Sequence, residues 1–402
     1  MDTVLFNFHD LVLILTGFEC LLLALLLGAT YKKENLSTLF FIGFLLCHTL
    51  IPLHEVTFWG TQFRHWVLSI SPNLFFVGSY SYFLDGPLLY FFIRALLYKD
   101  FALRRVDAIH LAPVALYFLL LIFTFYILDY DTRHELIETQ HIAYSSPYLY
   151  FDFISKYFRV AYAIACLMLI FNYSERLKDV FAEVNAKDIA WLKLMVLSFL
   201  LLFGWDAMLL SMKMHGLWVA EGFAMDALNI VGVAAYHLNF IVLNVLVFLK
   251  FTRFAHVETV DEHRSIEVTD NTNKFNPVYL ERIENGMKDA NVFTMPGITV
   301  DKLAKALDVP SKKLSQIIKL HYQLNFYEFV NSYRVEEAKL MLCSPENLDK
   351  TITEIYLEVG FNSKSVFNTF FKRMVGMTPS QYREQNQGKT ADKPNLFELK
   401  SR

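Results

Sequence analysis

Long apolar runs fill the first 250 residues of the chain and then stop. Seven of them are long enough to cross a hydrocarbon layer as helices: Leu11 to Ala29, Leu36 to Leu53, Leu74 to Leu97, Leu111 to Leu128, Phe153 to Phe171, Trp191 to Met212 and Leu228 to Leu249. The second and fifth carry the weakest signal. After Lys250 the pattern becomes a polar, mildly acidic run, AHVETVDEHRSIEVTDNTNKFNP, with no helical period, which predicts a flexible linker over 253–276. From Pro277 onward, apolar residues recur three and four apart, as on helices that bury one face. A helix is expected from Pro277 to Ala290. Thr299 can cap the next, which buries Leu303, Ala304 and Leu307, and Pro310 or Ser311 opens another with Leu314, Ile317 and Ile318 inside. A long helix follows in LNFYEFVNSYRVEEAKLML. Ile352, Ile355 and Val359 then mark a short helix that Gly360 ends, and a last amphipathic helix begins after Asn362 or Ser363, burying Val366, Phe367, Phe370 and Phe371. The fold class is all-α: a seven-helix transmembrane bundle over 1–252, the linker, a soluble domain of two helix-turn-helix units over 277–386, and a polar tail over 387–402.

The outward faces of two of these helices change the picture. Ser311 to Leu320 and Phe361 to Met374 carry Lys312, Lys313, Lys319, Lys364, Lys372 and Arg373 and no carboxylate. In a domain whose acids nearly balance its bases, this local bias points to a nucleic-acid face. Ile355, Glu358, Val359, Gly360 and Phe361, then Ser365, Phe367, Phe370, Phe371 and Lys372, then Gly376, Thr378, Pro379, Tyr382 and Arg383 together resemble the second helix-turn-helix of the AraC/XylS family of bacterial transcription regulators. The resemblance covers about Pro277 to Glu384. It implies that Lys312, Ser315 and Gln316 in the first unit, and Lys364, Ser365, Asn368 and Thr369 in the second, face base edges. Lys313, Lys319, Lys372 and Arg373 are then placed for phosphates. A connecting helix of about seventeen residues, roughly 26 Å long, suits two reading helices in successive major grooves. One position departs from the family pattern: Gln323 stands where glycine is common, so a different backbone shape is expected there.

Composition and charge then place the chain. Hydrophobic residues make up 54% of it, net charge is −3, and mean hydropathy is +0.33. One set of connections holds Lys32, Lys33, Lys99, Arg104, Arg105, Arg176, Lys178, Lys187, Lys250 and Arg253. The opposite set holds only Arg64, Arg133 and Lys213, with Lys156 and Arg159 near a membrane lip. Basic connections stay in the cytoplasm, so the N-terminus is expected outside a bacterial inner membrane and the C-terminal domain inside, where DNA lies. Glu19, His48, Asp85, Asp206, Asn229, His237 and Asn244 fall within the predicted spans, where ionisable groups are costly unless they pair or line a wet cavity. Asp85 and Asp206 are the candidates for sensing a signal, Asp85 because Gly86 and Pro87 beside it should break the third helix. The acidic, aromatic connection from Asp129 to Asp152 is read as a solvated loop leading into an interfacial aromatic belt, with a signal-receiving surface as the alternative.

Cys20, Cys47, Cys166 and Cys343 are scattered and form neither a disulfide framework nor a zinc pattern. His134 and His141 lack metal-site spacing, and no phosphate loop, nucleophile elbow or zinc-protease helix occurs, so no metal, cofactor or catalytic residue is expected. The expected function is that of a membrane-bound, sequence-specific transcription regulator, with activation the commoner mode of the family it resembles. Its expected partners are double-stranded promoter DNA, RNA polymerase, the lipid bilayer, a small-molecule or envelope signal and a second copy of the chain. The alternatives are a regulator merely anchored by the bundle, and a transporter or membrane enzyme with a regulatory DNA-binding tail.

Overall fold

The computed structural model describes residues 8–29, 36–182, 186–219, 232, 236–245 and 276–386, and every described element is helical apart from turns and an isolated bridge. In chain order the helices are α1 Phe8–Ala29, α2 Leu36–Trp59, α3 Thr61–Ile70, α4 Asp85–Leu97, α5 Ala112–Leu121, α6 Tyr130–Glu138, α7 Ser146–Val180 and α8 Ala186–Val219. After a helical stretch at 236–245 come α9 Pro277–Gly286, α10 Ala290–Phe293, α11 Val300–Ala306, α12 Ser311–Leu320, α13 Phe326–Cys343, α14 Ile352–Glu358, α15 Lys364–Val375 and α16 Pro379–Asn386. Two compact units divide the chain: Met1–Asn172 with Lys187–Glu262, and Tyr173–Ala186 with His263–Arg402.

Five helical segments of the first unit, among the described residues, are long and apolar enough to cross a membrane: Phe8–Ala29, Leu36–Trp59, Arg105–Tyr126, Pro147–Val180 and Ile189–His215. That differs from the expected seven. The second and fifth runs, expected to be weakest, are both among the five. The third is not a single helix. It starts as 3-10 turns at Pro72–Leu74 and Gly78–Phe83, and only the 13 residues of α4 are α-helical, about 20 Å of rise and short of a bilayer. The break falls beside Gly86 and Pro87, and Pro87 sits in the first turn of α4, where its missing N–H costs nothing. Gly78 lets the broken segment press on α2: a Cβ there would lie 2.7 Å from both the Leu50 carbonyl oxygen and the His54 Cβ. Half of the seventh run and all of the linker apart from Asn276 lie outside the described residues, as does the expected tail.

The outer faces of these helices are apolar. Leu201 and Phe123 are 72% and 70% exposed, and Phe18, Leu25 and Leu116 also point outward. Contiguous apolar surface of this kind calls for a nonaqueous neighbour or a partner. Inside, α1 packs on α2, α2 packs on α4, and Phe41, Phe44, Phe92 and Phe199 are fully buried.

The second unit has two cores joined by α13. Phe326, Phe329 and Val330 belong to one, with Leu303, Leu314 and Ile317; Val335, Ala338 and Leu342 belong to the other, with Ile355, Phe367 and Phe371. The local signals act as expected. The Thr299 hydroxyl accepts from the Lys302 N–H, Pro310 precedes α12, Ser363 precedes α15, and Gly360 takes φ 97° at the end of α14. Thr351 and Glu354 add a reciprocal capping box at the start of α14. Two expectations are corrected. The helix from Pro277 ends at Gly286 rather than Ala290, and Leu307 seats against that bare glycine, where a Cβ would come within 2.2 Å of its Cδ2. Gln323 does not use a different backbone shape: it adopts the left-handed conformation that glycine would, at φ 58°.

The second unit also takes in chain from the first half of the sequence. Phe181 forms an antiparallel bridge with Thr299, and the Ala182 N–H donates to the Ile298 carbonyl at 3.3 Å. Ala182 itself is fully buried within the core of the first helix-turn-helix.

Candidate functional site

The first candidate site is the outward surface of α12 and α15. On α12, Leu314, Ile317 and Ile318 are buried, which turns Lys312, Lys313 and Lys319 to solvent and leaves Ser315 and Gln316 partly exposed. Lys313 Nζ lies 3.4 Å from Gln316 Oε1. On α15, burial of Phe367, Phe370 and Phe371 leaves Lys364, Ser365, Thr369, Lys372 and Arg373 exposed and Asn368 half-buried. Arg373 is partly engaged within the domain, its guanidinium 4.6 Å from the Phe370 ring centre and 3.6 Å from Glu328. The connecting α13 is 18 residues long, about 27 Å.

Arg334 holds the two helix-turn-helix units together and is fully buried. Its Nε donates to the Phe293 carbonyl at 2.8 Å and its Nη2 to the Met295 carbonyl at 3.0 Å, while its guanidinium lies 5.7 Å from the Phe361 ring. Gly360 is required beside it, since a Cβ there would meet the Thr294 carbonyl oxygen at 2.5 Å and Arg334 Cζ at 3.0 Å. Asn331, one turn earlier, accepts from Arg334 Nη1 at 3.4 Å and donates to the Ala182 carbonyl at 2.8 Å. A hydrogen-bonded line therefore runs from the segment after α7 to the joint between the two helix-turn-helix units. At the exposed start of α14, the Thr351 N–H and hydroxyl hold the Glu354 carboxyl below the usual carboxylate range.

The second candidate site is a cavity of about 540 Å³ inside the first unit. Asp206 lines it, accepting from Lys156 Nζ at 2.9 Å. Asp85 lies behind the lining residues and is fully buried; it accepts from Arg159 Nε at 2.7 Å and from the Gly86 N–H at 2.7 Å. Arg159 Nη1 is 3.9 Å from Asp206 and Lys156 Nζ is 3.7 Å from Asp152, so the two candidate acids belong to one charged network. This corrects the placement of Lys156 and Arg159 at a membrane lip: they are 6% and 5% exposed, on the inward face of α7. Arg64, counted among the outward basic residues, is also buried and donates to the Phe58 carbonyl at 3.1 Å.

Sequence reasoning missed further lining residues. Glu55 falls just beyond the second apolar run, yet α2 continues to Trp59 and buries it, with donors from Trp59 Nε1 at 3.1 Å and from the Tyr82 and Tyr236 hydroxyls. Tyr148, Phe151 and Asp152, read as the end of a solvated loop and an interfacial belt, line the cavity instead, and Tyr148 stacks on Phe58 at 5.3 Å and 15°. The signal that would have found the network is Lys156 and Arg159 three apart on one helix, cations for the acids in the other spans.

Residues 303–385 match the family model described as a helix-turn-helix domain. Similar proteins include an uncharacterised HTH-type transcriptional regulator, YdeC, of Bacillus subtilis, 32% identical over 89 residues, which are 22% of this chain and 30% of that one. The HTH-type transcriptional regulator MtrA of Neisseria gonorrhoeae is 30% identical over 86 residues, covering 21% of this chain and 28% of its own. The melibiose operon regulatory protein of Escherichia coli is 29% identical over 90 residues, covering 22% and 29%. The chain thus spans less than a third of the length of each of these relatives. No solved structure matches. The likeness falls on the two helix-turn-helix units, so the C-terminal part of the chain carries a helix-turn-helix domain similar to those of these transcriptional regulators.

Proposed function

We propose that the protein is a membrane-embedded, one-component transcription regulator, in which the helical bundle senses a signal and the cytoplasmic AraC-type domain reads promoter DNA. The domains are 1–252 in the membrane, 253–276 as linker, 277–386 for DNA and 387–402 as tail, with the N-terminus outside. Lys312, Ser315, Gln316, Lys364, Ser365, Asn368 and Thr369 take base edges, while Lys313, Lys319, Lys372 and Arg373 take phosphates. Activation through RNA polymerase, and pairing of two copies on adjacent sites, are part of the same reading.

The observation that carries the sensing half is the path of α7. This helix contributes Asp152, Lys156 and Arg159 to the charged network, and the chain leaving it buries Ala182 in the DNA-binding domain and hydrogen-bonds Asn331. A bundle serving only as an anchor needs neither feature. The test compares genome-wide DNA occupancy and transcript levels for the full chain and a fragment starting near Asn273. Shared promoters, with output that follows growth conditions only for the full chain, support sensing; identical behaviour under all conditions leaves the bundle as an anchor. Solute uptake or turnover by the purified protein in vesicles would favour a transporter or enzyme.

A further inference from the structure

We infer that the cavity takes a small amino-acid-like zwitterion with an aromatic body, its ammonium group at Glu55 and its carboxylate at Lys213, an inference that rests on the reading of the bundle as a sensor. The charges lining the cavity carry the assignment. Lys156 lies between Asp206 at 2.9 Å and Asp152 at 3.7 Å, and Arg159 serves Asp85 behind them. Two lining charges are left over. Glu55, 8% exposed, accepts from Trp59, Tyr82 and Tyr236, all neutral donors, and among the described residues no lysine or arginine pairs with it. Lys213 has Asp206, Lys156, Asp152 and Glu55 as its electrostatic neighbours, yet among the described residues no carboxylate reaches ion-pair distance.

Opposite charges at a cavity wall that lack an ion pair of their own each favour a ligand that brings the missing partner. An amine would satisfy Glu55 and leave Lys213 unmet; an acid would do the reverse. A zwitterion meets both. Much of the rest of the wall is aromatic, including Phe58, Phe83, Tyr117 and Phe151, beside aliphatic Leu209 and Leu210, with Tyr82 offering a ring face to Lys156 Nζ at 4.7 Å. Such a wall suits a flat apolar body and adds cation–π attraction for an ammonium group. The volume, about 540 Å³, lies in the range of small-molecule sites and exceeds what a bare ion would fill.

The test uses the full chain in nanodiscs of phosphatidylethanolamine and phosphatidylglycerol. Calorimetric affinity and thermal midpoint are measured with tryptophan and phenylalanine, their amines tryptamine and phenethylamine, and their acids indolepropionate and phenylpropionate. An aromatic amino acid should bind, with its amine and acid counterparts roughly tenfold to a hundredfold weaker, the worth of one charge-assisted contact. Glu55→Gln, which keeps the side-chain volume, should abolish the preference over the acid, and Lys213→Met the preference over the amine. An amine or acid binding as tightly as the amino acid would overturn the assignment, as would no binding by any of the six at millimolar concentration to protein with an intact thermal transition. Zwitterion binding without any change in promoter output would keep the ligand and remove the sensor; output that follows growth conditions with no zwitterion binding would do the opposite.

Discussion

The two halves of this chain use charge in opposite ways. The helix-turn-helix domain keeps apolar groups inside and sets cations on the outer faces of α12 and α15, where water solvates them and where the proposed reading brings phosphates. The bundle turns Leu201 and Phe123 outward and collects Asp85, Asp206, Lys156 and Arg159 within. A cation on the domain surface can be removed with little effect on folding. In the bundle these four charges neutralise one another, so removing one strands its partner.

That contrast breaks most visibly when one arginine is removed from each half. Arg159→Met leaves Asp85 buried without its cation and should cost about 3–5 kcal/mol of bundle stability, read as a lowered thermal midpoint in nanodiscs. Restoring neutrality with Asp85→Asn in the same chain should recover much of the loss. Arg334→Ala exposes a comparable dependence inside the domain, orphaning the Phe293 and Met295 carbonyls, and should destabilise it by about 3 kcal/mol or more in urea titration. Surface cations should behave differently. Lys364→Ala is expected to cost about 1–3 kcal/mol of discrimination at one base pair, whereas Lys372→Ala should weaken all sequences alike and lower the salt slope by about one, with both domains folded as before.

Smaller effects sharpen the account of the joint between the units. Asn331→Ala removes the donor to Ala182 and one acceptor of Arg334, and should cost about 1–2 kcal/mol by chemical denaturation. If Asn331 also relays the signal, promoter output in this variant should lose its dependence on growth conditions before DNA affinity falls. Gln323→Gly should stabilise the domain by about 0.5–1 kcal/mol, because glycine occupies the left-handed conformation without the steric cost that glutamine bears.

Legibility followed the same division. Helix starts, the glycine stop at Gly360 and the outward cations of the DNA-binding domain are local properties, set by residues three or four apart, and sequence pattern reached them. Gln323 was misjudged because chemistry alone does not tell which backbone shape a turn demands. In the bundle, Asp85 and Asp206 stood out as acids in apolar runs, but their meaning depended on partners 74 and 50 residues away in sequence, Arg159 and Lys156. The second apolar run ends at Leu53, two residues before Glu55, because a run of apolar residues stops where a buried charge begins. The break before Asp85 was legible from Gly86 and Pro87; the loss of a full third span was not, because Gly78 acts through its approach to α2.

The most direct test of the central claim is genome-wide occupancy and transcript output of the full-length protein beside its Glu55→Gln, Lys213→Met double variant across growth conditions. The account predicts that both occupy the same promoters, that wild-type output changes with conditions, and that the variant's output stays fixed. A variant that responds just as the wild type does would contradict control through the cavity, and a wild type that occupies no promoter would contradict the regulator itself.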